Sequence, residues 1–288
     1  MLIIPAPAKI NLTLEVLGRR PDGFHEIRSV VQTIALCDTF SFEPGQDIEF
    51  CCANTGWVAT QSLVTKAVAL LQKTTACSKG AIINVDKRIP LASGLGGDSS
   101  DAAAILRGLN QLWELGLSRE SLFGLASQLG SDVPFFLHGG TALLQGRGEV
   151  VTPLPPLPHT WVILVNPSIP RMQGKTKQLY DSLKTAHYTD GQINGRLIEA
   201  LEAGKGFTPS LLFNTFENVA FAHFAGLSVY RSHIGKVGAT NVHLTGSGPA
   251  LFTLVEDRNE AEDLCTRLQQ QSMETYLVGT QAAVENSG

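Results

Sequence analysis

Residues 90–104 read Pro-Leu-Ala-Ser-Gly-Leu-Gly-Gly-Asp-Ser-Ser-Asp-Ala-Ala-Ala, and no other stretch constrains the fold as much. The run AIINVD at 81–86 predicts a strand just before it, and the alanines behind it open a predicted helix. Gly94, Gly96 and Gly97 let backbone approach a ligand closely. A helix beginning directly after them offers unpaired N–H groups and a partial positive charge. Strand, glycine loop and helix start together form an anion cradle, most simply for phosphate. Ser99 and Ser100 add hydroxyls that can reach a phosphate oxygen or a bound Mg2+.

Common phosphate motifs are excluded by position. The dinucleotide fingerprint starting at Gly94 requires glycine at 99, which is Ser99. A P-loop built on Gly174-Lys175-Thr176 requires glycine at 169, which is Ile169. The protein-kinase signatures D-F-G and H-R-D do not occur. His25-Glu26 would need His at 29 for a zinc-protease motif, and Ser29 stands there. A second glycine turn, Leu-Thr-Gly-Ser-Gly-Pro at 244–249, precedes a predicted strand at 250–255 and alone reads as a tight turn. Asp132 follows a predicted helix end beside Pro134, Phe135 and Phe136, which can partly desolvate it; alone it reads as a turn aspartate.

Ile10, Leu12 and Leu14 alternate with polar residues, predicting a half-buried strand with Lys9 and Asn11 on its polar face. Further strands are expected at 47–51, 160–166 and 276–284. Helices are expected after the N-cap candidate Ser62, over 102–113, from Ser118 to a stop at Gly130, and over 259–270. The segment PLPPLP at 153–158 lacks backbone donors and is stiff, so it reads as a linker. The expected domains are therefore 1–156 and 157–288. Strands and helices interleave without a strict βαβ rhythm, which favours α+β.

Composition removes other classes. The chain is 43% hydrophobic and 17% charged over 288 residues, which suits a globular protein of two domains rather than a disordered one. Its formal net charge of -4 gives no global positive field for nucleic acid or anionic lipid. Charged residues, glycine or proline break every apolar run short of the ~18 residues a membrane helix needs. The start MLIIPAPAKINL lacks the basic-then-apolar pattern of a signal peptide. Five cysteines without a C-x-x-C pair argue against a disulfide framework or zinc site. They read as small buried hydrophobes in a reducing cytoplasm.

Taken together, Pro7-Ala8-Lys9-Ile10-Asn11-Leu12, Gly94-Leu-Gly-Gly-Asp-Ser-Ser100 and Thr245-Gly-Ser-Gly-Pro249 resemble, in order and spacing, the three signatures of the GHMP small-molecule kinases. The segments at 20–26 (RPDGFHE) and 129–136 (LGSDVPFF) are similar to one branch of that family. Its acceptor is a cytidine-diphosphate derivative of methylerythritol, on the mevalonate-independent route to isoprenoids. The resemblance spans residues 5 to about 255. It implies an α+β protein with a ribosomal-protein-S5-like N-terminal domain and a smaller ferredoxin-like C-terminal domain, ATP and acceptor meeting between them.

By position, the resemblance implies that Pro90, Leu91, Ala92, Ser93, Gly94, Leu95, Gly96, Gly97, Asp98, Ser99 and Ser100 wrap the ATP phosphates. Lys9 and Asp132 become the catalytic pair, with Asn11, Phe24, His25, Tyr180, Gly246, Ser247 and Gly248 around the acceptor. Phe24 stands where the family often has Tyr and Tyr180 where it often has Phe, so two aromatic faces for cytosine survive the exchange. No protein-bound metal is expected; Mg2+ arrives with ATP. The expected state is a monomer or weak homodimer. A homoserine- or mevalonate-type kinase would have no reason to keep Gly23-Phe24-His25-Glu26, and a non-catalytic relative no reason to keep Lys9 and Asp132. Asp98 departs from the family's glycine at that position, and the sequence assigns it to capping its own helix, with Asp101 three residues on.

Overall fold

A computed structural model describes residues 1–170, 172, 174–204 and 208–283. The chain opens with strands β1 (Leu2–Asn11), β2 (Thr13–Arg19), β3 (His25–Gly45) and β4 (Ile48–Cys52). Helix α1 (Leu63–Thr75), strand β5 (Gly80–Asp86) and helices α2 (Gly97–Leu112), α3 (Arg119–Leu129) and α4 (Val133–His138) follow. Next come β6 (Thr141–Gly146), β7 (Val150–Pro153), β8 (Trp161–Val165), α5 (Lys175–Ser182) and α6 (Gln192–Glu202). The chain continues with β9 (Phe213–Asn214), α7 (Glu217–His223), α8 (Leu227–Val237), β10 (His243–Leu244), β11 (Leu251–Val255), α9 (Arg258–Gln270) and β12 (Thr275–Gly279). None of these helices is long and apolar enough to cross a membrane.

Two compact units interleave along the chain. The first comprises residues 1–8, 36–91 and 96–138; the second comprises 9–35, 92–95 and 139–288. In the first unit, the later half of β3 pairs antiparallel with β5, from Thr39–Asp86 to Gly45–Gly80, and β4 pairs parallel with β5. Helices α1 to α4 supply apolar faces: Val64, Ala67, Val68 and Leu71 of α1 and Ile105, Leu106 and Leu109 of α2 are buried. Ser62 starts α1 by accepting from the Val64 N–H at 3.3 Å, and Ser118 starts α3 by accepting from Ser121 N–H at 3.2 Å. Such caps satisfy donors that the first helical turn leaves unpaired.

In the second unit, the first half of β3 pairs antiparallel with β2 and β6, and β6 pairs with β7. A separate antiparallel sheet has the order β10-β11-β8-β12. The core of this unit joins Leu14, Val16 and Ile27 to Ile163, Val165, Phe216, Leu251 and Leu264. The proline-rich segment belongs to this unit's stretch of chain, its prolines exposed and Leu157 buried. There Thr141 accepts the Leu154 N–H on its carbonyl and the Leu157 N–H on its hydroxyl, both at 3.0 Å.

Several local expectations are corrected. The run through Ile10, Leu12 and Leu14 divides between β1 and β2, and its polar face is buried as well. That face tolerates burial because its groups satisfy one another: Lys9 Nζ donates to Asn11 Oδ1 at 2.6 Å and Asn11 Nδ2 donates to Ser29 Oγ at 2.8 Å. Gly130 ends α3 with extended backbone, φ 176°, so the left-handed freedom of glycine is not used there. Of the cysteines only Cys265 is buried; Cys51 on β4 is exposed, because that strand has alternating rather than two-sided cover. β12 stops at Gly279, and residue 284 of the expected strand lies outside the described residues.

Candidate active site

In the second unit, backbone from three distant segments converges around Lys9. Its N–H donates to Leu95 O at 2.9 Å, and Ala250 N–H donates to Ser93 O at 2.9 Å. Asn11 N–H reaches Thr245 Oγ1 at 3.3 Å. These bonds bring β1, the glycine loop at 92–95 and the turn 245–249 together.

Two glycines make this approach possible. A Cβ on Gly94, whose φ is +93°, would lie 2.4 Å from Thr245 O. A Cβ on Gly246, φ +55°, would lie 2.8 Å from Gly94 O and 3.1 Å from Lys9 Nζ. Both the left-handed conformation and the lack of space require glycine at each. Asn214 fixes the turn from behind, donating from Nδ2 to Leu244 O at 2.8 Å and Gly246 O at 2.9 Å.

Lys175 at the start of α5 spans the two glycine segments, donating to Ala92 O at 2.7 Å and to Gly248 O. Burial and the neighbouring Lys9 charge push its amino group down to about 8. The next residue, Thr176, exchanges a hydroxyl hydrogen bond with Ser247 at 2.8 Å.

The aromatic residues expected around the acceptor lie in two places. His25 stacks on Tyr180 with ring centroids 4.7 Å apart, and Tyr180 meets Phe216 edge to face at 4.8 Å. The Tyr188 hydroxyl lies 3.3 Å from His25 Nε2. Burial and then the Arg19 charge hold the His25 imidazole below its ordinary pKa. Phe24 instead packs under the Arg147 guanidinium, 4.7 Å from its ring centroid, and is 54% exposed. Its loop is shaped by Arg20 N–H donating to Phe24 O at 2.7 Å and Phe24 N–H donating to Asp22 Oδ1 at 3.1 Å. Tyr180 thus carries His25 on its face, while Phe24 carries Arg147.

In the first unit, Pro90 and Leu91 lead out from β5, and Gly96 is the N-cap of α2 with φ 76°. Gly97, Asp98, Ser99 and Ser100 form the first turn. Ser100 Oγ is buried without a hydrogen-bond partner, as is Asp101 Oδ1. An orphaned hydroxyl beside the unpaired N–H groups of a helix start suits a ligand rich in acceptors.

Asp98 does not cap α2. Its Oδ1 accepts from the Ser62 hydroxyl and, at 3.0 Å, from Leu63 N–H, so it caps the neighbouring helix α1. With Gly96 already at the N-cap of α2, the Asp98 carboxylate is available to α1. Asp132 is half-buried in the turn directly before α4. Asn214, Lys175, Thr176 and Tyr188 were not singled out as site residues by sequence. Only Lys175 and Thr176 carried a local signal, the rejected Gly174-Lys175-Thr176 motif.

Comparison with known proteins gives the class to which this chain belongs. Residues 62–140 match the GHMP kinases N terminal domain and residues 195–274 the GHMP kinases C terminal domain. The chain belongs to the GHMP kinase family of ATP-dependent small-molecule kinases. A 4-diphosphocytidyl-2-C-methyl-D-erythritol kinase of Dehalococcoides mccartyi is 47% identical over 280 residues, covering 97% of this chain and 98% of that protein. The enzyme of that name from Gloeobacter violaceus is 38% identical over 96% of this chain and 94% of its own. A crystal structure of 4-(cytidine 5'-diphospho)-2C-methyl-D-erythritol kinase superposes with a TM-score of 0.83 at 31% identity, covering 98% of this chain and 100% of that one. A homoserine kinase from Cytophaga hutchinsonii shares the fold at 17% identity, with a TM-score of 0.70 over 98% of this chain and 95% of its own.

Proposed function

We propose that this protein transfers the γ-phosphoryl group of ATP to the 2-hydroxyl of 4-diphosphocytidyl-2-C-methyl-D-erythritol. The observation that carries this reading is the convergence of Lys9, the loop at 92–95 and the turn 245–249, in a chain nearly half identical to kinases of that name. Phosphoryl transfer asks a protein mainly for positioning and charge stabilisation. The loop 90–100 and the first turn of α2 hold the triphosphate by backbone N–H groups. The buried Ser100 hydroxyl, with Ser99 beside it, fits a phosphate oxygen or the Mg2+ that travels with ATP. When bound, Mg2+ neutralises charge between the β- and γ-phosphates.

Asp132 accepts the proton of the acceptor hydroxyl as that oxygen bonds to γ-phosphorus and the bond to the β-phosphate oxygen breaks, releasing ADP. A carboxylate is a weak base towards an alcohol, so the proton moves late, once the phosphoryl group has largely left ATP. Lys9, held by Asn11, offsets the negative charge shared by the two oxygens. Gly246, Ser247 and Gly248 form the acceptor wall. Sequence domains 1–156 and 157–288 and a cytoplasmic home accompany this reading.

His25 and Tyr180 select the base. Burial favours neutral His25, and in the tautomer whose Nε2 accepts from the Tyr188 hydroxyl the other ring nitrogen carries the proton. That N–H matches the acceptor N3 of cytosine and opposes the N3–H of uracil. Phe24 covers the base from the exposed side.

The test is a kinase assay against the cytidine acceptor, its uridine analogue, homoserine and mevalonate. The cytidine compound is expected to lead, with the uridine analogue at least ~10-fold lower in kcat/KM, about 1.4 kcal/mol. His25→Ala erodes that preference. Higher kcat/KM with homoserine or mevalonate would overturn the acceptor assignment.

A further inference from the structure

Behind Lys9 lies a run of buried polar groups that the scheme above does not use. Lys9 Nζ donates to Asn11 Oδ1 at 2.6 Å, Asn11 Nδ2 to Ser29 Oγ at 2.8 Å, and Ser29 Oγ to Thr13 O at 2.6 Å. Ser29 and Thr13 are fully buried, and Lys9 and Asn11 nearly so. The inner end is itself held. Thr13 Oγ1 donates to Asn194 Oδ1 at 2.6 Å and accepts the Val30 N–H at 3.0 Å. Asn194 in turn gives its backbone N–H and its Nδ2 to Glu15 Oε2, at 2.7 and 2.6 Å. The outer end meets the turn at 245–249, where a Cβ on Gly246 would lie 3.1 Å from Lys9 Nζ and 3.5 Å from Asn11 Oδ1.

We infer that Ser29 is a positioning residue for phosphoryl transfer: it fixes which way the Asn11 amide faces, and through that amide the direction of the Lys9 ammonium. This rests on the kinase reading above.

The chemistry of the groups gives the run a single direction. The Thr13 carbonyl can only accept, so the Ser29 hydroxyl commits its one proton there. Ser29 Oγ is then an acceptor towards Asn11, which must present Nδ2. Asn11 Oδ1 is left facing Lys9, whose ammonium has three donors and no acceptor. The reversed amide would set N–H against N–H at Lys9 and lone pair against lone pair at Ser29. Neither mismatch could be relieved by water at such burial. Holding one ammonium N–H on Asn11 confines the other two to a cone about that bond. Without the Ser29 oxygen the Asn11 amide loses its acceptor, turns to find another, and takes the Lys9 direction with it.

The experiment compares the kinetics of Ser29→Ala, Asn11→Ala and the double variant, with side-chain amide NMR on the full chain. Ser29→Ala should lower kcat ~10–100-fold and change the KM for ATP less than ~3-fold, as expected when a reacting group loses its alignment. In the Asn11→Ala background the same substitution should change kcat less than ~3-fold, because groups acting through one network are not additive. A serine that merely supported the fold would cost the same in both backgrounds. The Asn11 Nδ2 protons, assigned by their loss in Asn11→Ala, should exchange slowly with solvent in the parent and faster in Ser29→Ala. Should Ser29→Ala fail to fold, Ser29→Cys takes its place in both backgrounds; its thiol bonds weakly, so the same pattern is expected with a smaller loss.

An unchanged kcat without the Ser29 hydroxyl, equal losses in both backgrounds, or an Asn11 amide exchanging at the parent rate overturns the inference while the kinase reading stands. No turnover of any acceptor by the unmutated protein, with the Asn11 amide protected there and exposed by Ser29→Ala, overturns the acceptor reading and leaves the orientation of Asn11 and Lys9 in place.

Discussion

Two lysines of this protein are withdrawn from water in opposite electrostatic settings. Lys87, in the first unit, donates to Asp38 and, at 2.6 Å, to Asp101, with all three side chains buried. Burial works to lower the Lys87 pKa, but the charges of Asp101 and Asp38 outweigh it and raise the value. Burial, joined by the Asp38 charge, lifts Asp101 well above the usual carboxylate range against the pull of Lys87. Asp38 also accepts the N–H groups of Arg88 at 2.6 Å and Ile89 at 2.8 Å, so the cluster fixes the chain where it leaves β5. Lys175, in the second unit, faces carbonyls and another lysine. A cation neutralised by carboxylates is a strut. A cation held by carbonyl oxygens, between glycines that accept no side chain, instead clasps two backbone segments.

The sharpest way to separate chemistry from support is Asp132→Asn. It keeps the shape and removes the base, so turnover should fall ~10²–10⁴-fold. Nucleotide binding, followed by calorimetry, should change little, and near-normal turnover would remove Asp132 from the mechanism.

Lys87→Met reverses that pattern. It leaves two carboxylates buried without their cation, so stability should drop by ~3–5 kcal/mol in denaturant titration. The sign with pH follows from the raised Asp101 value. A carboxyl that holds its proton more tightly when folded stabilises the fold at low pH, and that contribution is lost as pH rises through the folded value. The variant should therefore regain stability below neutrality, relative to the parent. A stable variant with a flat pH response would break the description of Lys87 as a strut.

The smallest effect belongs to Asp98→Gly. The substitution removes the acceptor for Ser62 and Leu63, and loss of such a cap costs ~0.5–2 kcal/mol. ATP affinity should hold or rise slightly, since a carboxylate leaves the loop. Loss of Mg2+-dependent activity without loss of stability would place Asp98 among the phosphate contacts instead.

Local chemistry was readable from sequence and long-range pairing was not. Ser62 and Ser118 were identifiable as caps because a cap acts within three residues. The glycine loop was identifiable because glycine carries its backbone consequence with it. Asp98 was assigned to the wrong helix, since the residue it serves lies 35 positions away. Asn214 supports a turn 30 residues downstream through its side chain, and Tyr188 meets His25 from 163 residues away. No periodicity encodes either contact. The partners of the two aromatic residues were hidden for the same reason: the resemblance gave Phe24 and Tyr180 by position, but not the Arg147 guanidinium over Phe24 or the His25 ring on Tyr180.

The direct test of the contrast between the two settings is the single-turnover rate of Lys9→Met with ATP and the cytidine acceptor, read beside its thermal midpoint. Lys9 lies where the two glycine segments meet. The variant should melt close to the parent while transferring the phosphoryl group at least ~100-fold more slowly, within the range seen when a charge-stabilising group is removed from a preorganised site. Transfer at close to the parent rate would contradict the assignment of the chemistry to this cluster.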